Sequence, residues 1–284
     1  MFFAQVMRSL EKAKALDPVV DAVAGAVNAV LPPGEVKDVL HGKPIGHALH
    51  PMLVALPIGL NVGVTVLDLT GGAAARPAAQ RLLGAAVLSV APTAAAGLAD
   101  WSELGSAKRP KRVGLVHAGS NVVASTFFAA SWFSRRAGRH VTGQVLSLLG
   151  MTGLAVGGYL GGHLAYAQGV AVNRNADRTP RPSEWRDAAA VSDLDAGMVR
   201  AEVSGQPVLI VRDEGQLYAT GAVCSHMGGP LEEGEIEDGC VVCPWHGSHF
   251  RLADGEVARG PASVGILSYD VRVTGDRVEV RARG

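Results

Sequence analysis

Four stretches of this chain are too long and too apolar to lie on the surface of a soluble domain. They run from about Met52 to Leu69, Leu82 to Ala99, Val113 to Phe133 and Val141 to Ala167. The second spans 18 residues and the third 21, and neither holds an Asp, Glu, Lys or Arg. A helix needs about 20 such residues to cross a hydrocarbon core. Helices of a soluble bundle would each keep a polar face, and none is visible. The expectation is a transmembrane four-helix bundle, antiparallel and up-and-down because its connections are short. Gly153, Gly157 and Gly161 recur at four-residue spacing, which lets a helix backbone approach its neighbour closely.

The connections are basic. Lys108, Arg109, Lys111 and Arg112 fill the second, and Arg135, Arg136 and Arg139 the third. With helix direction alternating, twelve Lys/Arg from Arg8 to Arg181 flank the side that carries both ends of the chain, against five (Arg76, Arg81, Arg135, Arg136, Arg139) on the other. The positive-inside rule makes the first side cytoplasmic. The chain therefore reads as a multi-pass protein of the cell membrane, with membrane lipid as a partner and with its N-terminus and C-terminal half in the cytoplasm. Residues 1–16 mix charge with apolar residues at helical spacing, placing Phe2, Phe3, Val6, Leu10 and Ala13 on one face. No uncharged core precedes a small-residue cleavage site, so the segment is not a signal peptide. It reads as an amphipathic helix on the protein surface or on the membrane interface.

Alternating direction also gathers His50, Asp100, His117 and His163, with Trp101, at one membrane face. Ionisable residues at that depth are costly and mark functional sites. Two of the imidazoles suit the axial positions of a b-type haem. The same group suits a transition metal or a quinone head group, and hydrogen bonding between helices accounts for it without any ligand. Asp68 reads as a helix-end carboxylate at the interface. This half resembles a family of uncharacterised four-helix bacterial membrane domains. The resemblance is carried by His50-Pro51, Asp68, Leu98-Ala-Asp-Trp101 and His117, over roughly residues 40–170. It implies a fold and no chemistry.

The rest of the chain differs in kind. From Ser183 onward there are 17 acidic and 9 basic residues, a balance of −8, while the first 182 residues carry 9 and 17, a balance of +8. Opposite charge in two halves points to two environments. Residues 173–184, with Pro180 and Pro182, read as a semi-rigid linker. Beyond it, short β-branched runs predict strands over 208–212, 216–219, 239–242, 264–273 and 277–281. Short strands over about a hundred residues form a sandwich or small barrel.

Three cysteines, Cys224, Cys240 and Cys243, fall within 20 residues of one another and interleave with histidines. That clustering reads as metal ligation rather than a disulfide framework. Cys224-Ser-His226-Met-Gly-Gly is followed by Cys243-Pro-Trp-His246-Gly, so each loop offers one thiolate and one imidazole. Two thiolates on one iron and two neutral imidazoles on the other make a [2Fe–2S] cluster of raised potential. Zinc also accepts two Cys and two His, but its fingers pair Cys with Cys and His with His.

At these residues the sequence resembles the Rieske ferredoxin family, over about residues 193–280. The resemblance implies an antiparallel β-sandwich with both loops at one tip. It implies one [2Fe–2S] cluster on Cys224, His226, Cys243 and His246, with imidazole edges open to solvent and a proline loop at Gly260-Pro261 shielding the cluster. High-potential respiratory members carry an extra cysteine in each loop, joined as a disulfide. Gly229 and Trp245 stand there in this chain, which matches the soluble ferredoxins and suits a reducing cytoplasm. Ser248 keeps a hydroxyl that donates to a cluster sulfide, and Phe250 replaces a tyrosine that donates to a cysteine sulfur. One donor kept and one lost implies an intermediate potential. Cys240 is then a spare, buried thiol. Glu232, Glu233, Glu235, Glu237 and Asp238 form either a solvated face or a docking patch for a basic partner.

The fold class is thus two-domain: an all-α transmembrane four-helix bundle followed by an all-β Rieske sandwich. Expected boundaries are 1–45 for the amphipathic segment, 46–170 for the bundle, 171–188 for the linker and 189–284 for the Rieske domain. No His follows His249, so an iron site of two His and one carboxylate is not expected after the cluster, and no catalytic residues are assigned. The function expected is membrane-anchored transfer of single electrons between redox partner proteins, without nucleic acid. The alternatives are coupling of the cluster to a haem or quinone site in the bundle, service to an oxygenase system, or redox sensing.

Overall fold

The computed structural model describes residues 2–178 and 182–283. Pro180 of the expected linker and Arg181 of the basic flank lie outside the described residues, as does the side chain of Phe2. Seven α-helices come first: α1 (Phe2–Glu11), α2 (Asp17–Val30), α3 (Glu35–His41), α4 (Leu49–Thr70), α5 (Arg76–Ser102), α6 (Lys108–Arg136) and α7 (His140–Gly162). Ten strands follow: β1 (Arg186–Ala190), β2 (Met198–Val203), β3 (Gln206–Asp213), β4 (Gln216–Gly221), β5 (Glu235–Glu237), β6 (Cys240–Val242), β7 (His249–Arg251), β8 (Val257–Arg259), β9 (Ser268–Thr274) and β10 (Arg277–Ala282). The chain divides into two compact units, Met1–Pro32 with Leu49–Val170, and Pro33–Ala48 with Ala171–Gly284. The boundary expected at residue 45 thus gives way to a short segment, 33–48, that groups with the strands.

In the helical unit, α4 pairs with α5 and α6 with α7, while α5 also packs on α6 and α4 on α7. Helices α4 and α6 therefore face each other across the bundle axis. All four are long and apolar enough to cross a membrane. Their apolar side chains point outward, Leu88 being 78% exposed and Val122 65%, where a soluble bundle would hide them. The interior is small and polar instead. Ser131 Oγ donates to Gly143 O at 2.6 Å, and the Ser131 and Ser147 hydroxyls lie 2.8 Å apart. Pro57 has no N–H, which leaves Leu53 O without its helical donor. Thr93 Oγ1 on α5 donates to it at 3.3 Å.

One expectation needs correction here. Asp68 is not a lone interfacial carboxylate: Arg135 on α6 grips it with two hydrogen bonds, of 2.7 and 2.5 Å. Arg135 is itself buried, because an apolar surrounding makes each charge the other's best solvent. The N-terminal segment forms the amphipathic helix expected of it, and the Phe3 ring lies 5.8 Å from that of Tyr159. Phe3 and Val6 are exposed, while Met7 is buried against Val113 and Leu160. Ion pairs also fasten both α1 and α2 to α6. Glu11 accepts from Arg109 at 2.7 Å, from His163 Nε2 at 2.9 Å and from Gln168 at 2.9 Å. Arg112 clamps Asp17 at 2.7 Å through both nitrogens, and Lys108 pairs with Asp21. Burial opposes the charge on Glu11, yet these hydrogen bonds hold its pKa down to about 2.

The β unit holds a six-stranded sheet in the order β1-β10-β9-β4-β3-β2 and a four-stranded sheet β5-β6-β7-β8, all antiparallel. Strand β3 is apolar at every central position, Pro207-Val-Leu-Ile-Val211, because both of its faces are covered. Leu209 and Val211 join the cluster that also buries Cys224, Cys243 and Phe250, while Val208 and Ile210 join a second one with Tyr269, Val278 and Val280. The strand expected from residue 264 begins only at Ser268. Residues 264–267 form a loop in which Ile266 N bonds Gly255 O at 2.9 Å. The expected linker is partly tied down as well, since Arg174 N donates to Ser225 O at 3.0 Å and Asn175 Nδ2 to Val223 O at 2.8 Å.

Candidate metal centre

Two loops with the same backbone carry the site. In the first, Cys224 N donates to Gly229 O at 2.9 Å and Gly228 N returns to Cys224 O at 3.0 Å. In the second, Cys243 N donates to Ser248 O at 2.9 Å and Gly247 N returns to Cys243 O at 3.0 Å. Each loop turns on a left-handed glycine four residues after its cysteine, Gly228 at φ 81° and Gly247 at φ 69°, a conformation that glycine adopts without penalty. The sulfur of each cysteine accepts hydrogen bonds from the backbone N–H groups two and three residues on. These are His226 and Met227 for Cys224, and Trp245 and His246 for Cys243. The repeated Cys-x-x-x-Gly pattern was visible in the sequence and marks these loops as well as the ligand types do.

The loops sort their donors by type. The Cys224 and Cys243 sulfurs hydrogen-bond each other. The rings of His226 and His246 meet at 5.0 Å between centroids and 88° between planes. Both cysteines are buried and free of disulfides. The hydrogen bond from Cys224 holds the Cys243 thiol down to about 6, while the same contact and burial push Cys224 up. Burial, with His246, His41 and Arg174 nearby, holds His226 down to about 3, so its imidazole is neutral and one ring nitrogen has a lone pair free for a metal. His226 Nδ1 is buried with no hydrogen-bond partner, and His246 Nδ1 is buried too.

Residues 184–270 match the Rieske [2Fe-2S] domain. Over 99 residues the chain is 32% identical to the anthranilate 1,2-dioxygenase ferredoxin subunit of Burkholderia cepacia, a match covering 34% of this chain and 92% of that protein. The chain belongs to the Rieske [2Fe–2S] family. Its Rieske domain is also 36% identical over 106 residues to human apoptosis-inducing factor 3, in a match that takes in 36% of this chain and only 18% of that protein's length. Among solved structures it resembles the ferredoxin of carbazole 1,9a-dioxygenase from Nocardioides aromaticivorans IC177, at 27% identity and a TM-score of 0.34, covering 36% of this chain and 100% of that one. Residues 46–174 match a predicted membrane protein family (DUF2231).

The Rieske domain implies a [2Fe–2S] cluster, and the residues present fit one. Among the described residues no three His, Cys, Asp or Glu converge as a single metal ion would need. Donors that come as a sulfur pair and an imidazole pair suit two irons with unlike ligands. The orphaned Nδ1 of His226 is the atom such an iron would take up.

Two further segments pack around the loops. Ser225 Oγ donates to Val264 O at 2.5 Å, and Ala262 N donates to Ser248 Oγ at 3.0 Å, so the proline loop is pinned to both. Ser248 Oγ accepts there and keeps its own proton to give. From α3, Asp38 Oδ1 accepts from Gly260 N at 2.8 Å, and Lys43 reaches Ala258 O. His41 is buried beside Gly260. No sequence signal linked residues 33–48 to the Rieske domain. Gly229 faces Trp245: a Cβ on it would lie 2.7 Å from Cys243 Sγ and 3.3 Å from the indole. Phe250 and Cys240 are buried, as expected. Glu232 pairs with Arg200, and Glu233, Glu235, Glu237 and Asp238 are exposed.

Of the four membrane-side residues, the structure brings His50 and His117 together, with ring centroids 6.4 Å apart. His163 is drawn away to Glu11. Asp100 sits half-buried in the last turn of α5. Trp101 Nε1 donates to Lys111 O at 3.0 Å, its ring lying against Gly114.

Proposed function

We propose that this chain is a membrane-anchored Rieske electron carrier in which Cys224 and Cys243 hold one iron of the cluster and His226 and His246 the other. The observation that carries this is the sorting of donors, sulfur with sulfur and imidazole with imidazole, by two loops of matched hydrogen bonding. The cluster, when bound, takes up and returns single electrons. The chain's own part is electrostatic. Backbone N–H groups of residues 226, 227, 245 and 246 steady the thiolate charge, and burial keeps His226 neutral. Ser248, fixed by Ala262 N, keeps a hydroxyl proton to give to the cluster, while Phe250 offers none, which favours an intermediate potential. Ferredoxin subunits of oxygenase systems among the relatives support an oxygenase-type redox partner. The four apolar helices support anchoring in a membrane, and the excess of flanking Lys/Arg supports a cytoplasmic Rieske domain.

Purified in detergent and reduced with dithionite, the full chain should give the electron paramagnetic resonance signal of a Rieske cluster. His226→Ala or His246→Ala should abolish it without releasing the protein from the membrane. Iron without that signal, or zinc alone, refutes the assignment. For orientation, a reporter fused at the C-terminus should be active only in its cytoplasmic form.

A further inference from the structure

His50 on α4 and His117 on α6 come from helices that face each other across the bundle axis. Their rings stand 6.4 Å apart, centroid to centroid, and almost perpendicular at 84°. In each ring Nδ1 meets a backbone carbonyl, Thr93 O at 2.9 Å for His50 and Gly157 O at 2.8 Å for His117. A carbonyl only accepts, so both Nδ1 atoms carry a proton. The lone pair of each neutral imidazole then sits on Nε2. Each Nδ1 bond runs to the hairpin partner of its own helix, α5 or α7, and the Nε2 lone pair diverges from that bond within the ring plane.

Among the described residues no donor completes the arrangement. Asn121 Nδ2 donates to His117 O at 2.9 Å and lies 3.4 and 3.3 Å from the two ring nitrogens of His117. Nearly equidistant from both, it is in line with neither lone pair. Two imidazole acceptors in an apolar bundle are costly without a donor or a cation. Both rings are also held in place by missing side chains. A Cβ on Gly97 would lie 2.8 Å from the His50 ring, and one on Gly161 would lie 3.1 Å from His117. An imidazole with one N–H anchored on a carbonyl and the other nitrogen presented inward is prepared as a metal ligand. His163 makes the contrast: its Nε2 carries the proton, given to Glu11.

We propose that His50 and His117 are the two imidazole ligands, through Nε2, of a single transition-metal centre on the bundle axis. Metal–nitrogen bonds of about 2.0–2.1 Å would set two opposed imidazole centroids roughly 6 Å apart, the spacing seen here. No third His, Cys, Asp or Glu joins them among the described residues. The metal is therefore one whose other positions the chain need not fill, with two sources: the iron of a haem, whose pyrrole nitrogens fill them, or a bare copper or iron ion. The proposal rests on the helical unit alone and is independent of the cluster assignment.

The test uses the full chain in detergent, from cells supplied with iron, copper and a haem precursor, in wild-type form and as Cys224→Ala/Cys243→Ala, which lacks the cluster irons. Metal per chain is measured by mass spectrometry and the absorption spectrum is recorded. The cysteine variant should retain one metal per chain. His50→Ala and His117→Ala should each lower that by at least about ten-fold, while the cluster signal of the wild-type background persists in them and His163→Gln keeps the metal. A Soret band identifies haem as the source, and metal without one identifies a bare ion. Should the alanine variants not accumulate, His117→Met, which keeps a ligand of different softness, should shift the spectrum of the centre. A cysteine variant free of metal, metal retained in both histidine variants, or a His117→Met spectrum identical to wild type overturns the proposal.

Discussion

Gly229 has no room for a side chain, because Cys243 Sγ and the Trp245 indole occupy the space a Cβ would need. Gly229→Ala should therefore push the second loop off the first, at a cost of about 1–3 kcal/mol. The visible effect is lower iron content and a weaker cluster signal in a protein that still inserts in membranes, and an unchanged signal refutes the packing argument. Arg135 is the opposite case, a residue defined by what it must not lose. Arg135→Ala would leave Asp68 with a buried, uncompensated charge, a loss of about 3–5 kcal/mol. It should lower the melting temperature in detergent, and Asp68→Asn added to it should recover part of the loss. Both roles were hard to see in the sequence. A glycine in a Cys-x-His-x-Gly-Gly string looks like any turn residue, and Asp68 and Arg135 are 67 residues apart.

At the level of elements, α1 is held by charge more than by its apolar face. Glu11 titrates at about 2 in the folded chain against an ordinary value of 4.5. A depressed acid adds stability that is fully present above its unfolded pKa and is lost as pH falls through the folded one. Melting in detergent should therefore weaken between about pH 4.5 and 2, and Glu11→Gln should flatten that slope while lowering stability at neutral pH. If the two proteins share one pH profile, the network around Glu11 does not anchor α1. The four long helices were legible because their hydrophobic length has few alternatives, and β3 because its run is apolar on both faces. Strands β1, β2, β5, β7 and β8 were not, since three of them are only three residues long and carry no readable alternation.

In the molecule as a whole, the ligand set and the two-part composition were readable from the chain, and the partnership of residues 33–48 with the Rieske unit was not. Its contacts, Lys43 with Ala258 and Asp38 with Gly260, join residues 215 and 222 apart, beyond the reach of any local pattern. Asp38→Ala should raise hydrogen exchange at Gly260 and its neighbours while leaving the cluster signal in place. Unchanged exchange would mean that this contact does not govern the proline loop. The segment also changes the mechanical description of the protein. Because the chain passes between the two units at 32/33, 48/49 and 170/171, residues 49–170 are an insertion in the chain of the Rieske unit, and three connections join the two units. A single protease cut in the 171–185 segment should leave residues 186–284 still held to the rest of the chain through residues 33–48.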